Sequence, residues 1–105
     1  MVSAISADPD VEGDETYTVY RRAKGRADAE LAASGLEYTI VRPGSLTDDS
    51  GTGQVEIGER LDGGSISRDD VAAVVAAALR APSAANRTFD VVADETPVDQ
   101  AIASL

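Results

Sequence analysis

The chain has 105 residues, which is enough for one small domain (residues 1–105) and too few for two. It contains no cysteine, which excludes disulfides and thiolate chemistry, and no histidine, which excludes Ser-His-Asp catalysis and histidine-ligated metals. Nineteen acidic residues against nine basic ones give a formal charge of -10, which opposes binding to nucleic acid phosphates or anionic membranes.

The N-terminal third is predicted to hold a strand, a loop and a long helix. The apolar stretch "MVSAIS" is expected to form a strand from Met1, and the Pro, Gly and acidic residues of "ADPDVEGDE" predict a loop. From about Glu15 to Ser34 the apolar residues recur with a helical period. The stripe expected to face the core comprises Tyr20, Ala23, Ala27 and Leu31.

Both ends of this helix carry capping signals. Asp14 is the predicted N-cap, with acids nearby that suit the positive end of the helix dipole. Gly35 is a predicted left-handed stop, and Leu36 is expected to fold back onto Leu31 as in a Schellman motif.

The middle of the chain continues with a strand, an irregular excursion and a second helix. The segment "EYTIVRPG" predicts a strand in which the proline favours an extended Arg42, and Gly44 permits a close backbone approach. Residues 46–66 predict an excursion with a small strand at "QVEIG". Ser67 is the predicted N-cap of a helix that ends at Pro82. Its expected buried stripe comprises Val71, Val74, Val75, Ala78 and Leu79.

The last elements are a strand, "RTFDVVA", and a helix, "TPVDQAIASL". Thr96 is the predicted N-cap of this helix and Pro97 its first residue. Its expected apolar face comprises Val98, Ile102 and Leu105. The order of elements is that of an α/β fold, which favours about three main parallel strands with right-handed crossovers and flanking helices.

One pair of residues on the first helix, Tyr20 and Lys24, could carry acid/base chemistry. Side chains at i and i+4 project from the same face, so the ammonium of the only lysine in the chain would favour the ionised phenol. The alternative is an ordinary amphipathic helix whose tyrosine packs its ring on the core while the lysine reaches water.

Two acidic segments have structural explanations. Residues 48–59, "DDSGTGQVEIGE", formally fit an EF-hand calcium loop with Glu59 as the twelfth-position carboxylate. An EF-hand needs a helix on each side, whereas this segment follows a strand, so we expect a loop rich in turn-forming residues. Asp69 and Asp70 are expected to be first-turn acids of a capped helix.

Three segments of the chain occur in a recognisable order: "YRRAKGRADAELAASGLEYTIVRPGSLTD", then "GSISRDDVAAVVAAAL", then "TFDVVADETPVDQAI". Together they resemble the C-terminal half of an atypical short-chain dehydrogenase/reductase. The resemblance is to the NmrA-like and NADH-flavin-reductase-like group and covers nearly the whole chain. It implies a partial Rossmann-like fold, an oxidoreductase-type function and NAD(P) as cofactor.

The resemblance also implies roles for individual residues. Tyr20 would be the proton donor or acceptor, and Lys24 would hold the cofactor ribose and tune Tyr20. Ser3 would correspond to the family's serine at the end of the preceding strand, although "VSA" stands here where "VSS" is common. The backbone expected beside the nicotinamide belongs to Arg42, Pro43 and Gly44.

The departure from the family concerns the phosphate site. A dinucleotide fold begins with a strand and a glycine-rich turn that holds the pyrophosphate; this chain has no such turn, and Met1 falls inside what would be the fifth strand. We therefore expect no NAD(P) binding or activity by this chain alone. An open strand edge favours self-association or pairing with the missing N-terminal half. The alternative function is a stand-alone, non-catalytic α/β module that self-associates.

The sequence contains no recognisable membrane-spanning segment or signal peptide. No apolar run approaches the roughly 20 residues of a membrane span, and the N-terminus lacks the basic-then-apolar pattern of a signal peptide. We expect a cytoplasmic protein without a nucleic acid or membrane partner.

The charge balance predicts that the stability of the folded chain depends on salt concentration. An acidic surface with eight arginines and a single lysine is typical of proteins that work at high salt, where counter-ions screen self-repulsion. We expect the far-ultraviolet circular-dichroism signal of the folded chain to decrease in dilute buffer and to recover in concentrated salt. A signal that is indifferent to salt would contradict a halophilic origin.

Overall fold

The structure, a computed structural model, describes all 105 residues. Its elements in chain order are helix α1 (Thr16–Ala33), strands β1 (Thr39–Pro43), β2 (Ser45–Thr47), β3 (Gln54–Gly58) and β4 (Ser65–Ser67), helix α2 (Arg68–Leu79), a short 3-10 helix (Pro82–Ala84), strands β5 (Arg87–Ala93) and β6 (Thr96–Pro97), and helix α3 (Val98–Ala103). No helix is both long and apolar enough to cross a bilayer.

The main sheet has the order β1-β5-β3-β6. Strands β1 and β5 are parallel, whereas β3 pairs antiparallel with both β5 and β6. Strands β2 and β4 form a separate parallel pair. The predicted α/β class with parallel strands is confirmed, and the "QVEIG" segment, predicted as a small strand, is a full member of the main sheet.

The N-terminal segment lies along the outer edge of β1. Val2 forms a parallel bridge with Val41, and the backbone N–H groups of Ser3 and Ile5 donate to the carbonyls of Val41 (2.6 Å) and Pro43 (3.0 Å). The predicted strand from Met1 is therefore present only as a short strand-like edge. Since it bonds to β1 on one side, its other side is open.

The hydrophobic core lies between one face of the main sheet and helices α2 and α3. Phe89, Val91 and Val55 contribute from the sheet, and Val74 and Ile102 from the two helices. Burying these apolar side chains stabilises the fold by about 25 cal/mol for each Å² of apolar surface removed from water.

Helix α2 begins as predicted, with the Ser67 hydroxyl accepting a hydrogen bond from the Asp70 N–H at 3.1 Å. It ends earlier than predicted, at Leu79, and Pro82 instead begins the 3-10 helix. The prediction that Leu79 is buried is wrong, because it lies at the solvent-facing end of the stripe and is 83% exposed.

Asp70 holds the loop before β3. Its buried carboxylate accepts backbone hydrogen bonds from Thr52 (3.1 Å) and Gly53 (2.9 Å). Burial alone would raise the pKa of Asp70, but these bonds and that of Ser67 hold the pKa below its ordinary value. Asp70 is thus more than the predicted first-turn acid.

The segment 48–59 is a turn followed by β3, with no helix on its N-terminal side. No three or more carboxylates converge in the structure in a way that could hold a metal ion. Residues 54–58 are instead committed to the hydrogen bonds of the main sheet.

Helix α1 buries a different face from the one predicted. Its buried residues are Gly25 and Asp28, whereas Ala23 and Ala27 are exposed and Tyr20 is 44% exposed. The reason is that the sheet surface beneath α1 offers polar partners, so an ion pair rather than an apolar stripe fixes the helix. The predicted packing of the Tyr20 ring on the core is wrong.

The helix ends also differ in detail. Glu15, not Asp14, occupies the N-cap of α1, without a side-chain capping bond. Gly35 has the predicted left-handed backbone, with φ of 81°. Leu36 does not close a Schellman ring: its N–H bonds to the Ser34 hydroxyl at 3.2 Å and its side chain is 65% exposed.

At α3 the predicted capping positions are shifted by one residue. Pro97 is the N-cap, because Thr96 is part of β6 and pairs with Val55. Val98 and Ile102 are buried as predicted, and Leu105 packs against the core.

Gly25 allows the loop of residues 7–14 to cross α1. A Cβ atom at this position would overlap the backbone of Asp8 and Pro9. The crossing is held by the Asp8 N–H, which donates to the Arg21 carbonyl at 3.0 Å, and by the Arg22 guanidinium, which donates to the Val11 carbonyl at 3.0 Å.

We expect Gly25→Ala to destabilise the chain. Replacing an exposed helical glycine with alanine usually stabilises a protein. Here the added methyl group would meet backbone atoms that cannot rotate away, which should lower the free energy of unfolding by about 3 kcal/mol. The free energy of unfolding in urea, followed by circular dichroism, measures the effect. As a control, Ala27→Gly on the exposed face should cost only about 1 kcal/mol. A Gly25→Ala variant more stable than the parent would contradict the crossing.

Candidate functional site

A buried carboxylate joins three elements on the α1 side of the sheet. Asp28, only 4% exposed, accepts a hydrogen bond from the Ser3 hydroxyl at 2.9 Å. The same oxygen, Oδ2, accepts from Nε of Arg42 at 2.9 Å and lies 2.9 Å from its Nη2. The carboxylate thereby links α1, the N-terminal edge segment and β1.

A second buried carboxylate, Asp90, lies opposite Arg42 in the register of β1 and β5. Its Oδ2 accepts a hydrogen bond from the Leu61 N–H at 2.9 Å. Burial raises the pKa of Asp90, and the Leu61 bond and the charges of Arg42 and Arg60 offset only part of that effect. The other oxygen, Oδ1, has no hydrogen-bond partner, and neither has Oδ1 of Asp28.

On α1, Lys24 lies about one helical turn before Asp28 and Tyr20 about two turns before it. The ammonium of Lys24 is 5.8 Å from the centroid of the Tyr20 ring and donates to the Val2 carbonyl at 3.3 Å. The Tyr20 ring stacks on that of Tyr17, with centroids 6.2 Å apart. The structure therefore brings the pair to the open edge formed by the N-terminal segment.

The other predicted site residues are engaged in packing. Ser3 and Arg42 both bind Asp28, and Pro43 is buried. The Gly44 N–H donates to the Val91 carbonyl at 3.1 Å. A side chain at residue 44 would overlap the carbonyl of Gly64, which explains the close backbone approach predicted there.

Sequence reasoning missed Asp28 and Gly25. Both lie on the inward face of α1, and Asp28 is four residues after Lys24, so an i, i+4 pattern of Tyr20, Lys24 and Asp28 was available in the sequence. The partner that explains Asp28 is Arg42, which only the fold brings near.

Tyr20 and Lys24 have hydrogen-bonding groups that could hold a ribose of a dinucleotide. The Tyr20 hydroxyl has no protein partner, and Lys24 uses one of its three donors, so both can serve ribose hydroxyls. No glycine-rich turn is available for the pyrophosphate. Tyr20 and Lys24 could therefore hold ribose hydroxyls, and no turn of this chain could hold the pyrophosphate.

Residues 1–82 match a protein family model described as NAD(P)H-binding. The chain belongs to this NAD(P)H-binding family. The predicted resemblance to the C-terminal half of an atypical short-chain dehydrogenase/reductase is confirmed by this match and by the relatives below.

Three relatives of this chain are about twice its length. It is 45% identical over 105 residues to "Uncharacterized sugar epimerase YhfK" of Bacillus subtilis (strain 168), covering 100% of this chain and 49% of YhfK. A Bacillus halodurans protein assigned as an NAD-dependent epimerase/dehydratase superposes with a TM-score of 0.91 at 38% identity, over 100% of this chain and 50% of its own. The oxidoreductase YlbE of Lactococcus lactis superposes with a TM-score of 0.83 at 26% identity, over 99% of this chain and 49% of YlbE. The chain thus spans about half the length of the relatives it matches.

We expect the Asp28–Arg42 ion pair to behave as a buried pair. Asp28→Ala leaves the Arg42 guanidinium without its partner and should cost about 3–5 kcal/mol in the free energy of unfolding. In a double-mutant cycle, Asp28→Ala with Arg42→Ala should cost less than the sum of the single changes. Urea unfolding of the three variants measures the coupling.

The exposed Asp48–Arg68 pair provides the matched control. Its side chains are 89% and 58% exposed, so Asp48→Ala should cost less than about 1 kcal/mol. Equal losses at Asp28 and Asp48 would show that the Asp28 pair is not a structural anchor.

Proposed function

We propose that this chain is the tyrosine–lysine half of an NAD(P)-dependent oxidoreductase-type domain, silent alone and competent when a glycine-rich half supplies the pyrophosphate site. The observation that carries the proposal is the position of the Tyr20–Lys24 pair at the open edge of the N-terminal segment. The names of the relatives, a sugar epimerase and an oxidoreductase, support the same class of reaction.

In this proposal each residue of the pair has one task. The bound cofactor would supply or accept a hydride. The Tyr20 hydroxyl gives or takes the proton at the oxygen of the reacting carbonyl or alcohol, since it is free of protein partners. The Lys24 ammonium, held by the Val2 carbonyl, donates to the ribose.

The isolated chain lacks the geometry for turnover. Catalysis requires the nicotinamide to be held to within about half an ångström, and the pyrophosphate contacts that would fix it are not in this chain. Binding of the cofactor therefore requires the missing contacts to come from elsewhere. We propose a cytoplasmic location for the complete domain.

A second candidate is a non-catalytic module that pairs with a copy of itself. Its support is the apolar surface beside the open edge, where several large side chains are exposed. These are Met1, Val2, Tyr17, Val19 and Tyr20. A second copy and a glycine-rich half would compete for this surface.

The test joins this chain to the half it lacks. In a single-chain fusion, the N-terminal half of the Bacillus subtilis relative precedes Met1, and binding of NADPH is followed by nicotinamide fluorescence. We expect binding by the fusion, none by the chain alone, and a self-associated chain that becomes monomeric in the fusion by light scattering.

Matched variants assign the role of the lysine. Lys24→Met in the fusion should weaken NADPH binding about tenfold, the value of one charge-assisted hydrogen bond, whereas Arg26→Met removes an exposed charge from the same helix and should have no effect. A folded fusion that does not bind NADPH and remains self-associated would favour the non-catalytic module instead.

A further inference from the structure

Three of the nine basic residues line a single cavity on the α1 side of the sheet. The cavity has a volume of about 420 Å³ and lies between the loop of residues 5–9, strands β1 and β5, and the segment after β3. Arg21, Arg42 and Arg60 line it, together with Asp8 and Asp90. The three guanidinium groups lie close together in a chain whose net charge is -10, although two carboxylates share the cavity with them.

Two of these guanidinium groups have donors to spare. Arg21 is positioned by its Nε, which donates to the Ser6 carbonyl at 2.9 Å and leaves its terminal nitrogens unpaired. Arg60 makes no hydrogen bond or ion pair at all. Arg42 is already paired with Asp28. An oxyanion would thus meet Arg21 and Arg60.

The acidic residues of the cavity leave an acceptor free. Asp8 is turned to its own loop, where its Oδ1 accepts the Asp10 N–H at 2.9 Å. Asp90 is buried, receives the Leu61 N–H on one oxygen and lacks a donor for the other. A buried carboxylate oxygen without a donor costs free energy that a ligand hydroxyl would recover.

We infer that this cavity binds a small hydroxylated oxyanion, a carboxylate or phosphate with a neighbouring hydroxyl, through Arg21, Arg60 and Asp90. The guanidinium forks match the planar carboxylate or the phosphate, and Asp90 accepts from the hydroxyl. The inference goes beyond the proposed function, because neither Tyr20 nor Lys24 lines this cavity. All residues of the cavity belong to this chain, so binding does not depend on NAD(P).

The probes form a matched series on one carbon skeleton. Glycerol, glycerate and glycerol 3-phosphate are titrated into the chain alone, followed by ¹⁵N chemical shifts of the arginine side chains. We expect saturable shifts at Arg21 and Arg60 with glycerate or glycerol 3-phosphate, and none with glycerol. The relative affinities of the two anions tell a carboxylate site from a phosphate site.

Variants test the residues named. Arg60→Gln should weaken binding of the anion about tenfold, the loss of one charge-assisted contact. Arg80→Gln removes the same charge from an exposed residue outside the cavity and should leave binding unchanged. Asp90→Asn should reduce the preference for glycerate over propionate, which lacks the hydroxyls, in a variant whose circular dichroism shows that it is folded.

Three results would overturn the inference. They are the absence of saturable binding by either anion, equal binding of glycerol, and equal weakening by Arg60→Gln and Arg80→Gln, which would indicate attraction by net charge alone. The fusion with the N-terminal half reports separately on the cofactor, so a failed anion titration beside successful NADPH binding refutes only the anion site.

Discussion

The arrangement of this half-domain depends on one buried carboxylate. Asp28 receives the Ser3 hydroxyl and the Arg42 guanidinium on a single oxygen, so the helix that carries it, the N-terminal edge and β1 are fixed to one point. A buried charge is stable only while its partners remain, because the desolvation of each ion is compensated by the other. The polar partners, rather than apolar packing, therefore determine which face of α1 is turned inward.

The inward orientation of the polar face of α1 determines where chemistry can occur. Because the polar face of α1 is inside, the aromatic face is outside. Lys24 and Tyr20 therefore lie at the edge of the sheet, one and two turns before Asp28 respectively. The helix turn that bears Lys24 is tied to the sheet by Asp28 and to the edge segment by the Val2 carbonyl. An exposed aromatic face beside an open strand edge also explains why a partner is expected there.

The sequence predicted best what depends on local pattern. The bounds of β5 and the Ser67 cap of α2 follow from β-branched runs and capping chemistry, and both are confirmed. The buried face of α1 could not be predicted from hydrophobic period, since its cause is an ion pair to a residue 14 positions away. Likewise, the Asp90 contact with Leu61 spans 29 positions. The Tyr20–Lys24 pair was found because its spacing is local and its order relative to "RPG" resembles a known family.

The two faces of the main sheet differ in composition and in role. The face toward α2 and α3 is apolar and forms a core of 12 buried residues, which supplies the stability. The opposite face holds the two carboxylate oxygens that have no donor, those of Asp28 and Asp90, at a cost of about 1–3 kcal/mol each. A fold selected for stability alone would replace such groups with apolar residues, as buried ion pairs often can be. Of the two, Asp90 lines the arginine-lined cavity, so the proposed ligand hydroxyl that donates to Asp90 would recover the free energy lost by its unpaired oxygen.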